Sequence, residues 1–160
     1  MTSREKTILL LLAVMAFGSR TAWAQHIEQE PNDTLQASQR IELLADEHIE
    51  GLWGALLSAS LNRPGQGDNG EDWYRFEARE GDRLNLQFFN EGDTELKVSL
   101  RLYDGQGNEL SDPSPRTIWG AASSQRISDF PIQSAGPIFL RVRYSEGLQG
   151  VGAVGRYGLA

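Results

Sequence analysis

Trp73-Tyr74-Arg75-Phe76-Glu77-Ala78-Arg79-Glu80-Gly81-Asp82-Arg83-Leu84-Asn85-Leu86-Gln87-Phe88 is two alternating runs of side chains on either side of a turn. Successive side chains of a strand point to opposite faces, so Leu84, Leu86 and Phe88 share one face. Glu80-Gly81-Asp82 carries turn chemistry, and the two runs are expected to pair as a hairpin. Trp73 and Phe76 fall on opposite faces of the first run, which makes one of them a candidate for exposure.

The same pattern extends outward from this pair. Leu96-Lys97-Val98-Ser99-Leu100-Arg101-Leu102-Tyr103 alternates with Leu96, Val98, Leu100 and Leu102 inward, and Asp104-Gly105-Gln106-Gly107-Asn108 then turns the chain into Glu109-Leu110. Pro137 to Tyr144 alternates with Ile138, Leu140 and Val142 on one face, and Gly155-Arg156-Tyr157-Gly158-Leu159 begins a last strand. Weaker strands are expected over 48–53, 116–119 and 126–132. One short helix candidate, Thr34 to Arg40, is too short to cover a sheet. The fold class expected is all-β, an antiparallel sandwich of about eight strands. Two stretches, Asn62 to Asp72 and Ser111 to Pro115, are too rich in turn formers to be regular structure.

Residues 1–24 read as an export signal. Arg4 and Lys6 precede the apolar run Ile8 to Phe17, and Ala22-Trp23-Ala24 forms an A-x-A site before Gln25. The run is short for a bilayer span and no second one follows, so residues 25–160 are expected to form a single soluble domain, periplasmic or secreted. No cysteine is present, so neither disulfides nor a lipidated cysteine anchor is available. Removing Arg4, Lys6, Arg20 and Glu5 from 15 basic and 22 acidic residues leaves 12 and 21, a net charge of −9. That balance argues against nucleic acid and anionic membranes as partners and favours cations. A chain of this length buries roughly two-thirds of its unfolded surface, enough for a core without disulfides.

Just past the expected cut lies Glu28-Gln29-Glu30-Pro31-Asn32-Asp33-Thr34. In an extended segment Glu28, Glu30 and Asn32 share a face with Asp33 beside them, and Pro31 favours an extended Glu30. Three carboxylates and an amide carbonyl are hard oxygen donors that suit Ca²⁺ rather than zinc or copper. Composition alone equally describes a solvated acidic leader.

Taken in order, these landmarks resemble the bacterial pre-peptidase C-terminal domain, an exported jelly-roll β-sandwich module usually appended to secreted peptidases. The resemblance rests on Glu28 to Asp33 with Ala37; on Gly51-Leu52 or Gly54-Ala55-Leu56; and on Asp72-Trp73-Tyr74-Arg75-Phe76 followed by Gly81-Asp82. It continues through Leu100-Arg101-Leu102-Tyr103-Asp104-Gly105-Gln106-Gly107, then Gly136 to Val142, and ends on Gly155-Arg156-Tyr157-Gly158-Leu159. No piece is specific alone; the ordered series carries the weight. The chain departs from the family in a shorter last strand, a longer Leu56 to Gly70 connection and the lack of a peptidase domain in this sequence.

In calcium-binding members the opening acidic segment folds back onto the loop before the central strand. The resemblance therefore implies Glu28, Glu30, Asn32, Asp33, Asp68 and Asp72 as ligands of a structural Ca²⁺. Without the family, Asp68-Asn69-Gly70 reads as a turn and Asp72 as a residue bonded to loop backbone. An EF-hand is excluded, because counting from Asp68 the sixth position is Trp73 and the twelfth Arg79.

Catalytic motifs are absent from the sequence. Its two histidines, His26 in what reads as a flexible start and His48, sit in no nucleophile or zinc motif, and there is no Gly-x-Ser-x-Gly or His-Glu-x-x-His. The expectation is a non-enzyme, a stand-alone binding or accessory module for polysaccharide or extracellular protein. A secreted hydrolase or inhibitor with an unrecognised carboxylate site is the alternative. Trp53, Trp73 and Trp119, with Tyr103 and Tyr144, are candidates either for the core or for a binding face.

Overall fold

The computed structural model describes residues 7–9, 23–61, 70–91, 98–110, 125–144 and 155–159. Among the described residues eleven strands run in chain order: β1 (Thr7–Leu9), β2 (Ala24–Ile27), β3 (Gln39–Arg40), β4 (Leu44–Ala45), β5 (Leu52–Leu61), β6 (Glu71–Ala78), β7 (Arg83–Glu91), β8 (Val98–Tyr103), β9 (Gln125–Pro131), β10 (Gly136–Tyr144) and β11 (Gly155–Leu159). They form two sheets. Four strands in the order β3-β6-β10-β8 make one; the other is built on β5-β11-β7-β9, with β2 and β4 along the outer edge of β5. Between β5 and β7, β11 pairs with one half of each strand and β1 with the other.

Inward positions follow the alternation. Tyr74, Phe76 and Ala78 of β6, Ile138, Leu140 and Val142 of β10, and Val98 and Leu102 of β8 meet Leu57, Ala59 and Leu61 of β5 and Leu84, Leu86 and Phe88 of β7 in one buried cluster. Each large apolar side chain buried in this way contributes about 1.5–3 kcal/mol, which is what holds a cysteine-free sandwich together.

The expected hairpin is not formed. β6 pairs with β10 and β3, whereas β7 pairs with β11, β9 and β1, so the two strands lie in opposite sheets. The turn between them makes a corner of the sandwich. Asp82 N–H donates to the Arg79 carbonyl and the Asp82 carboxylate accepts from Arg79 N–H. Gly81 N–H donates to the Ile132 carbonyl, with Gly81 at φ 87°, a region glycine enters without steric cost. Ile132 N–H completes the dock by donating to Asp82. Alternation reports which face is buried, not which strand lies alongside, and it reads the same for a hairpin and for a corner.

Further differences concern particular segments. The 48–53 strand begins instead at Leu52, because Asp46 binds the His48 and Ile49 N–H groups and Leu52 N–H donates to the Ile49 carbonyl, making a turn. These bonds hold the half-buried Asp46 carboxyl below its ordinary value, with the His48 N–H the largest cause. Thr34 to Arg40 is no helix: a turn closed by Ala37 N–H on Thr34 leads into β3. The sheets are mixed rather than purely antiparallel, since β1, β2 and β3 run parallel to their partners. β9 matches the strand expected over 126–132. The expected strand at 116–119, together with Leu96, Lys97 and the 111–115 loop, lies outside the described residues. Of the stretch read as an export signal, Thr7–Leu9 is described as β1, and β2 starts at Ala24, the last residue before the expected cut.

Candidate metal centre

Strand β2 lies on the β5 edge of one sheet and β3 on the β6 edge of the other, so residues 28–38 cross between the sheets as a strap. Its two ends are stitched by one side chain. The Gln39 amide accepts from Gln29 N–H and donates to the Ile27 carbonyl, both at 2.9 Å. His26 belongs to β2 rather than to a loose start, and its ring Nε2 lies 3.2 Å from Glu42 N–H.

Glu28 carries the first anchor. Its N–H donates to the Ser58 carbonyl, its Oε2 accepts from Ser60 N–H at 2.8 Å and Ser60 Oγ at 3.1 Å, and its Oε1 accepts from the Tyr74 hydroxyl at 3.0 Å. One carboxylate thereby touches β5 and β6, one strand from each sheet. A second anchor follows the Glu30–Pro31 cis bond, where Trp73 N–H donates to the Asn32 carbonyl at 2.9 Å and Asn32 N–H donates to Glu30 Oε2 at 3.0 Å.

These contacts gather Glu28, Glu30 and Asp72, whose carboxylate oxygens lie within 4.8 Å of one another. Asp72 is the inward-facing first residue of the alternating β6 face and is fully buried. Asn32, beside it, is 0 % exposed, and neither its Oδ1 nor its Nδ2 has a hydrogen-bond partner. Like charges at that separation repel by about 3 kcal/mol per pair at an effective dielectric of about 20, and a buried amide without partners costs about 1–3 kcal/mol. A cation with oxygen ligands would relieve the repulsion and give Asn32 Oδ1 a partner, since donors about 2.4 Å from a central Ca²⁺ sit up to about 4.8 Å apart across it. After these three hydrogen bonds Glu28 Oε1 retains a lone pair for the ion.

Of the six residues expected at the site, the structure thus brings together Glu28, Glu30 and Asp72 with Asn32 adjoining. Asp33 is half-buried next to Asn32, and Asp68 lies outside the described residues. Sequence reasoning missed Tyr74 and Ser60, which orient Glu28. By parity Tyr74 shares the Phe76 face of its strand and carries no further signal, and nothing in the sequence around Ser60 distinguishes it from its neighbours.

The outer face of β6 is also not as expected. Trp73 is 7 % exposed, as is Phe76, so neither is free. Trp73 packs with Tyr103, Phe139 and Leu35 of the strap, its ring centroid 5.0 Å from that of Tyr103. The Arg141 guanidinium lies 5.5 Å from the Trp73 ring and 5.3 Å from the Tyr103 ring, within cation–π reach of both. Burial raises the Tyr103 hydroxyl above its usual range, and the charge of Arg141 opposes this. Trp119 and the Tyr144 side chain lie outside the description.

A two-sheet sandwich with a strap pinned to its central Asp-aromatic-Tyr strand is the architecture against which the comparisons stand. Residues 70–143 match the family model of the bacterial pre-peptidase C-terminal domain. The family's module is a non-catalytic accessory domain found in secreted bacterial proteins. Among solved structures, the pre-peptidase C-terminal domain of collagenase from Bacillus anthracis is similar at 15 % identity, over 77 % of this chain and 92 % of that one, with a TM-score of 0.41. No curated protein matches the chain.

Proposed function

We propose that the chain is an exported accessory module without catalytic activity of its own, whose N-terminal strap is fastened to the sandwich by Ca²⁺. The observation that supports this most is the convergence of three carboxylates within 4.8 Å beside a fully buried amide that has no other partner. Glu28, Glu30 and Asp72 supply charged oxygens and Asn32 Oδ1 a neutral one; Asp33, Asp68 and loop carbonyls are the further donors for an ion that takes six to eight. The ion's chemistry here is structural: it neutralises the cluster and crosslinks strap, β5 and β6.

Binding rather than turnover is the role this gives the domain, with a polysaccharide or an extracellular protein as partner. Calorimetric titration of the chain with Ca²⁺ tests the ion. The expected result is one site per chain, with affinity reduced at least 100-fold in Asp72→Ala and unchanged in Asp129→Ala, a carboxylate paired with the distant Arg83. Equal affinity in all three proteins would sink the assignment.

A further inference from the structure

We infer that the groove beside Trp53 is a subsite for one neutral sugar unit of a polysaccharide, an inference that deepens the binding-module reading and rests on it. The groove, about 260 Å³, opens at the edge of the sandwich where the 40–43 segment passes the β6–β7 corner. That volume admits a small ligand or one unit of a polymer, near the lower limit of small-molecule sites.

Its lining decides the class. Trp53 is half-buried and contributes an aromatic surface, while Ile41, Leu43 and Ala78 add apolar area. Around the groove stand Arg40 and Arg79 with Glu42 and Glu77, all exposed. Among the described residues these four side chains form no hydrogen bond or ion pair. The remaining carboxylate, Asp82, already accepts from Arg79 N–H.

Two guanidinium groups and three carboxylates around one cavity suit neither a simple anion nor a simple cation, since each would meet like charges on the lining. A polyhydroxylated neutral ring fits both: guanidinium groups donate to its oxygens, carboxylates accept from its hydroxyls, and its C–H face lies on indole. Such a site holds its ligand weakly per unit and gains through repeats along a polymer.

Titration of the full chain with cellotriose, maltotriose and N-acetylchitotriose, followed by tryptophan fluorescence and by ¹⁵N chemical shifts of residues 40–43 and 77–82, tests this. Polygalacturonate and poly-glutamate serve as charged comparators. The result expected is saturable binding of at least one neutral trisaccharide, weakened at least 10-fold in Trp53→Ala and again in Arg79→Ala, an exposed side chain whose loss leaves the fold intact. Absence of binding, binding of the charged polymers alone, or binding unaltered in Arg79→Ala would each overturn the subsite. A Ca²⁺ titration of the same samples separates the two readings, because the strap's ion site shares no residue with the groove.

Discussion

Ca²⁺ at about one hundred times its dissociation constant should raise the melting temperature by about 8–11 °C, and a chelator should reverse the rise. The magnitude follows from mass action. A ligand bound only by the folded chain at that excess stabilises by about 2.7 kcal/mol, and domains of this size shift by roughly 3–4 °C per kcal/mol. Binding falls on the folded state alone because Glu28 and Glu30 meet Asp72 only when the strap crosses from β5 to β6. Asp72→Asn should remove the calcium dependence. It should also raise the melting temperature of the calcium-free protein, since one of three mutually repelling charges is lost. Differential scanning calorimetry with and without chelator measures both effects. Tyr74→Phe offers a finer comparison, since it deletes only the hydroxyl that donates to Glu28 Oε1 and leaves every proposed ligand in place.

The second large effect belongs to the core. Phe88→Ala should destabilise by about 3–5 kcal/mol, because Phe88 is 1 % exposed and its removal leaves a cavity between the two sheets. Its neighbour Gln87 lies on the opposite face of β7, half-exposed, and Gln87→Ala should change stability by no more than about 0.5 kcal/mol. Urea denaturation of the two variants reads the difference directly as a change in midpoint at constant slope. Equal losses would mean that the inward face of β7 has been assigned to the wrong side.

Much of this architecture is legible from alternation alone. Leu84, Leu86 and Phe88, and Ile138, Leu140 and Val142, are inward where period-two patterning puts them, because burial of one face is the force that selects the pattern. What alternation does not carry is partnership. The short turn of the β6–β7 pair suits a hairpin, but Gly81, Asp82 and Ile132 exchange backbone hydrogen bonds that send β7 into the other sheet. Trp73 shows a second gap of the same kind. It sits on the outward face, as its parity requires, yet is buried there by Leu35, Tyr103 and Phe139, which come from three separate segments.

The acidic segment was legible in chemistry but not in geometry. Its oxygen-rich composition fits a solvated leader as well as a ligand set, and only the crossing between sheets distinguishes them. Ser60 and Tyr74 orient Glu28 from 32 and 46 residues away, and such positions leave no local mark in the sequence. Asn32 makes the same point from inside: nothing in Pro31-Asn32-Asp33 tells that the middle side chain is fully enclosed.

Amide hydrogen exchange at Ser60 and Trp73, with and without Ca²⁺, tests the fastened strap most directly, since their N–H groups donate to Glu28 Oε2 and to the Asn32 carbonyl. Exchange at both is predicted to slow together by at least 10-fold when Ca²⁺ is added, with no slowing in Asp72→Asn. Rates at Ser60 and Trp73 that stay the same with and without the ion would contradict a strap held by calcium.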